Sequence, residues 1–258
     1  MRFIRWFLVV VVASLLLVPA AAFAARGGDD HVSSGNIISH VITHYEHNGK
    51  NHPGGGPPPG GDPTPTPEPE TVDHSTHFEL LPGARASSLV NYVVEDPGIV
   101  GAVDAVVASF DAWEAVSGID FTFDGTASVN VNAEVTAPNG TNTVSWALFI
   151  GNTKALAVTL LWIDDANLNG VWDDGEAIIE TELIFNSRHT WAVAENSPNG
   201  KWFDIQNVGT HEAGHFVGLD DQDQWDDETM FFKAGSKETD KRSLEPGDIA
   251  GAVALYGP

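Results

Sequence analysis

The chain has no cysteine, only two methionines, and 12 lysines and arginines against 36 acidic side chains. Without cysteine no disulfide can form, which excludes a disulfide-stapled extracellular domain of the animal type. The formal charge is −24. From residue 72 onward there are 30 acidic and 8 basic side chains, a net of −22, so the shortage of cations lies in the body of the chain. Phosphate contacts need the opposite sign, and nucleic-acid binding is excluded as a function class. The acidic surplus suits a saline habitat or calcium binding, and composition does not choose between them.

Residues 1–24 read as a signal peptide. Arg2 and Arg5 give the charged start, residues 7–18 the apolar run, and Ala22-Phe23-Ala24 a small-residue cleavage site. The run is short for a retained anchor, so no stable membrane association is expected after cleavage. A secreted, cysteine-free protein fits a bacterial or archaeal exoprotein. Residues 25–71 are rich in glycine and proline and are expected to be a disordered linker, extended along Pro63-Thr64-Pro65-Thr66-Pro67. His31, His40, His44, His47 and His52 lie here, half of the ten histidines. Such a segment could scavenge metal, or enforce latency by lending a ligand, or be a plain polar linker; composition favours the linker. Residues 72–258 are long enough for one core.

The most informative stretch is His211-Glu212-Ala213-Gly214-His215-Phe216-Val217-Gly218-Leu219-Asp220-Asp221. Histidines four apart on a helix share one face, so His211 and His215 can reach a single zinc ion. Glu212 is placed to deprotonate a water held there. Gly218 stands where the helix must stop, because glycine tolerates the left-handed turn. The returning chain would bring Asp221 in as third ligand and leave a fourth position open, the mark of a catalytic site. Asp220 is its rival.

A second motif spans residues 165–176 and fits the calcium-loop pattern D-x-[DN]-x-[DN]-G-x5-E at every specified position. Asp165, Asn167, Asn169, Asp173 and Glu176 would give side-chain oxygens, Val171 its carbonyl, and Gly170 the sharp turn. Strand-like sequence flanks it on both sides, so a structural calcium staple between two strands is expected rather than an EF-hand.

The helix motif followed by Met230 in Glu228-Thr229-Met230-Phe231-Phe232 resembles the metzincin proteases and their methionine turn. The closing run from Ser243 to Gly257, with Asp248-Ile249-Ala250-Gly251 and Leu255-Tyr256-Gly257, is similar to the matrixin branch. So are residues 203–210 before the first histidine and residues 180–186, which look like the strand bordering the cleft. The resemblance covers residues 84–257. It implies an α+β catalytic domain, a twisted mixed β-sheet with three helices and a methionine turn in which Met230 packs beneath the metal. It also implies a zinc endopeptidase acting on proteins or peptides, with Glu212 as general base and an edge strand within residues 180–185 pairing with substrate.

Aspartate replaces the usual third histidine, as in some secreted microbial relatives, and should favour a neutral to mildly alkaline optimum. The cysteine latch of many animal matrixins is excluded. Phe231 and Phe232 stand where a tyrosine would otherwise supply an oxyanion donor, and residues 222–232 should wall the specificity pocket. A different class remains open: a secreted calcium-dependent binding or adhesion module with a vestigial zinc site, against which Glu212 speaks.

Periodicity predicts strands at 87–94, 119–123, 129–135, 143–149, 156–163 and 178–185. Helices are expected at 100–116, 203–219 and from Pro246. The first of these would bury Val100, Val103, Val107, Phe110 and Trp113.

Overall fold

A computed structural model describes residues 17–18, 36–47, 74–151 and 154–258. Its strands are β1 (Leu17–Val18), β2 (Ile37–Glu46), β3 (Leu89–Val94), β4 (Asp120–Thr126), β5 (Asn142–Phe149), β6 (Ala155–Asp164), β7 (Ile178–Asn186), β8 (Trp191–Ala192), β9 (Phe203–Asp204) and β10 (Lys233–Ala234). The helices are α1 (Ala102–Glu114), α2 (Val131–Glu134), α3 (Ile205–Val217) and α4 (Pro246–Tyr256). One mixed sheet runs β10-β2-β6-β7-β5-β3-β4, with β1 beside β5; β8 and β9 pair separately. Strands β7, β5, β3 and β4 run parallel to one another, whereas β6 is antiparallel to both β7 and β2. The architecture is the expected α+β one.

Strand β6 reads Ala-Leu-Ala-Val-Thr-Leu-Leu-Trp-Ile-Asp and is buried along nearly its whole length. A continuous apolar run of this kind belongs where both faces of a sheet are covered. Leu156 and Ala157 join the core cluster that includes residues of α1 and α3. Elsewhere Val158 joins Phe149 and Ile184, and Leu161 joins Ile38 and Ile178.

Helix α1 buries Ala102, Ala105, Val106, Ser109, Phe110 and Trp113. The expected face is therefore turned: Val100 is 80% exposed, and small residues take its place. The cause is the approach of α3, where a Cβ on Gly209 would stand 2.6 Å from Ser109 Oγ. Trp113 Nε1 fastens the pair by donating to the Thr210 carbonyl at 2.8 Å.

Two further expectations give way. The strand predicted at 129–135 is a single helical turn, with the Asn130 carbonyl accepting from Ala133 N at 2.7 Å and Glu134 N at 3.2 Å. Val129 and Val131 reach the core beside Phe149 through that turn, without strand pairing. Disorder across 25–71 fails at Ile37–Glu46, a ten-residue strand inside the sheet. Ile37, Ile38, Val41, Ile42, Thr43 and Tyr45 are strong strand formers, and Ile38 and Ile42 bury against Leu81, Leu161, Ile163, Trp172 and Ile178. Residues 25–35 and 48–71 lie outside the described residues, as does all of the predicted leader except Leu17–Val18. Among the described residues no helix is long and apolar enough to cross a membrane.

Candidate metal centre

Helix α3 starts on Asp204, whose carboxylate accepts from Asn207 N at 2.8 Å, and ends on Gly218 with φ 113°. Only a residue without Cβ adopts that angle freely, and the reversal carries the chain back under the helix. It brings Asp221 Oδ1 to 3.1 Å from His211 Nε2 and 3.7 Å from His215 Nε2. Asp220, the rival, instead accepts from Asp221 N and donates its own N–H to the Glu79 carbonyl.

Both imidazoles are held by their other nitrogen. His211 Nδ1 lies 2.8 Å from the Thr229 carbonyl and His215 Nδ1 2.8 Å from the Leu219 carbonyl. A carbonyl only accepts, so each Nδ1 carries the proton and each Nε2 presents a lone pair. Burial holds both rings neutral, His215 at about 4 and His211 well below its ordinary value. Asp221 is pushed up to about 6 by burial, opposed by His215 and Lys241.

His211 Nε2, His215 Nε2, Asp221 Oδ1 and Glu212 Oε1 are all buried without a hydrogen-bond partner. Lone pairs converging in a dry site repel one another unless a cation lies among them. Two imidazoles and a carboxylate are ordinary zinc donors, so the residues fit the ion. Burial raises Glu212 to about 8, and the hydroxyl of Thr159 on β6 opposes this by donating to Oε2 at 2.5 Å. Beneath the site, Met230 is 1% exposed, and its sulfur packs where a Cβ on Gly214 would stand. The turn is pinned by Asp248, which accepts from Thr229 N at 2.8 Å and Met230 N at 3.1 Å.

The matrixin family model matches residues 100–257. This chain belongs to the matrixin family. The family is one of zinc-dependent metalloendopeptidases. A curated relative, Metalloendoproteinase 1-MMP of Arabidopsis thaliana, is 31% identical over 78 residues, 30% of this chain and 21% of that protein. The matched part thus spans about a fifth of that relative's length.

In this matrixin the strand bordering the site is not the expected one. Residues 180–185 lie in β7, an interior strand between β5 and β6. The rim is β6, whose Thr159 touches Glu212, and β2 occupies its outer edge. Residues 222–232 form the facing wall, closed by Gln222 N to the Met230 carbonyl at 3.0 Å and Phe232 N to the Gln222 carbonyl at 3.2 Å.

The 165–176 loop joins β6 to β7 and folds its donors inward. Asp165 accepts from Asn169 N at 3.1 Å and Gly170 N at 2.9 Å, while Asn167 and Asn169 both donate to Asp173 Oδ2 at 2.6 Å. Glu176 accepts from Asp173 N at 3.0 Å, Gly170 has φ 74°, and Val171 is half exposed.

Sequence reasoning missed three residues at or near the centre: Thr159, Asp248 and the buried Lys241 that donates to the Phe231 carbonyl. A fourth, His44, is among the histidines of the segment that could lend a ligand but that composition reads as linker; it is a neighbour of His211. Only His44 left a signal, the β-branched alternation around it. Two more groups could hold a cation: His74, His77 and Glu228, and the buried Glu134, Glu180 and Glu182. In the second, Glu180 accepts from Asn139, Gly140 and Thr141 N–H groups and Glu182 accepts from Thr143. Burial pushes Glu182 up to about 10.

Proposed function

We propose that the chain is a secreted zinc endopeptidase that hydrolyses peptide bonds by general-base catalysis from Glu212, with zinc held by His211, His215 and Asp221. One observation carries this reading. Three ligand atoms converge with their lone pairs free, and the unpartnered Oε1 of a buried carboxylate stands beside them. Zinc, when bound, supplies Lewis acidity toward the scissile carbonyl and an attacking water. Glu212 takes the water proton on Oε1 and returns it to the leaving amine, while Thr159 holds Oε2 in place. The rim strand β6, whose outer edge β2 occupies, is the strand an extended substrate would pair with in place of β2, and Phe231 and Phe232 lie on the facing wall. The 165–176 loop is assigned a structural calcium ion, and residues 1–24 the export signal.

The test is casein or gelatin cleavage together with zinc content. It compares the full chain, Glu212→Ala, and each of them carrying His44→Ala, since that side chain leans on His211. Glu212→Ala should keep its zinc and lose activity by about 100-fold or more. Equal activity with and without Glu212, or zinc uptake unaffected by Asp221→Ala, rejects the assignment.

A further inference from the structure

Strand β2 lies in the groove where the proposed substrate would bind. On one side it pairs antiparallel with the rim strand β6, from Ile37 opposite Asp164 to Tyr45 opposite Ala155. On the other it runs parallel to β10, just beyond the methionine turn. Tyr45 N donates to the Phe232 carbonyl at 3.2 Å, Glu46 N to the Lys154 carbonyl at 2.8 Å, and His47 N to the Ala234 carbonyl at 2.9 Å. A peptide binding by strand addition would need these same backbone groups. Strand and substrate therefore exclude one another.

The side chain that this strand delivers to the centre is an imidazole. His44 is fully buried, its ring centroid is 3.8 Å from that of His211, and neither ring nitrogen has a hydrogen-bond partner. Ligand atoms of His44, His211 and Asp221 all lie within 4.8 Å of one another. Period-two alternation puts Ile38 and Ile42 on the same face as His44, and both are anchored in an apolar cluster. The imidazole is thus positioned by packing.

We propose that β2 is an internal plug of the substrate groove, and that His44 is a fourth protein ligand to the metal. This rests on the reading of His211, His215 and Asp221 as a zinc site. Three protein ligands leave a position for water, whereas four close the site. Ligation also gives a buried ring nitrogen the partner it lacks. A core histidine on a permanent strand would leave both nitrogens unsatisfied. The full chain is accordingly a latent form, opened when β2 leaves the groove.

Cobalt(II) in place of zinc reports coordination directly, in the full chain and in its His44→Ala and His44→Cys variants. In the full chain the visible spectrum should be four-coordinate, steady between about pH 6 and pH 9, and indifferent to acetohydroxamate. His44→Ala should become pH-dependent and bind acetohydroxamate, and, with the metal tether of β2 removed so that the strand leaves the groove more often, cleave a quenched peptide about tenfold faster or more. His44→Cys should keep the closed spectrum and gain a thiolate-to-cobalt charge-transfer band in the near ultraviolet. Absence of that band overturns the proposal even if His44→Ala proves too unstable to assay. Equal acetohydroxamate binding by the full chain and His44→Ala overturns it as well, leaving the zinc reading intact. If His211→Ala takes up as much cobalt as the full chain, both fall together.

Discussion

Thr159 on β6 donates its hydroxyl to Oε2 of Glu212 on α3 across 2.5 Å, and both residues are wholly buried. The bond favours the charged carboxylate and so opposes the burial that lifts Glu212 to about 8. Replacing Thr159 by valine should raise that value further and leave less of the base form at neutral pH. In the His44→Ala background kcat/KM at pH 7 should fall about 3- to 10-fold and recover as pH rises. A pH–rate profile whose acidic limb does not move would contradict this role.

Gly214 faces the methionine turn so closely that an added Cβ would stand 2.2 Å from Met230 Sδ and 2.8 Å from Trp113 Cζ2. The sulfur can shift, but the indole is held by its bond to Thr210. Gly214→Ala should destabilise the fold by about 1–3 kcal/mol through overpacking. Thermal unfolding should show a loss of about 2–10 °C. An unchanged melting temperature would mean that the floor of the site is softer than its packing indicates.

Calcium in the 165–176 loop would bind the folded chain and not the unfolded one. Saturation at about 100 times Kd contributes about 2.7 kcal/mol, so chelation with EGTA should lower the melting temperature by about 5–10 °C. Asp165→Ala should produce the same loss and abolish the response to EGTA. If EGTA leaves the melting curve of the full chain in place, the loop is only a turn.

Glu182 is neutral in the fold because burial holds it near 10, well above the ordinary range of a free glutamate. Its contribution to stability is complete below about pH 4 and is lost as pH climbs toward that raised value. Glutamine keeps the acceptor for Thr143 and never ionises. Glu182→Gln should therefore match the parent at about pH 4 and melt about 3–10 °C higher at about pH 8 in the presence of EDTA. Parallel melting curves across that range would show that the carboxyl ionises freely.

Much of the centre is legible in the chain because its geometry is local. The spacing of His211 and His215 encodes a shared helix face, and Gly218 encodes the reversal that returns Asp221. The loop from Asp165 to Glu176 is equally self-contained. What escaped depends on tertiary order. Strands β6 and β7 are both buried along almost their whole length, and strands covered on both faces do not reveal by alternation which of them lies nearer the edge. The burial phase of α1 is set by small residues that admit α3, so Val100, expected on the buried face, lies exposed ahead of the first turn. The alternation of Ile37–Glu46 is flanked by glycine- and proline-rich sequence, and average composition hid a short strand of high propensity.

Asp248, at the start of α4, holds Thr229 by its N–H, and the Thr229 carbonyl in turn fixes the ring of His211. The orientation of the first histidine is thereby decided by the last helix described. During synthesis strands β2 to β7 and α3 emerge from the ribosome before Asp248 does. A nascent chain would carry the whole His-Glu-x-x-His helix while its leading imidazole is still free to turn. On the zinc reading proposed above, the orientation of its first ligand is therefore deferred until α4 docks.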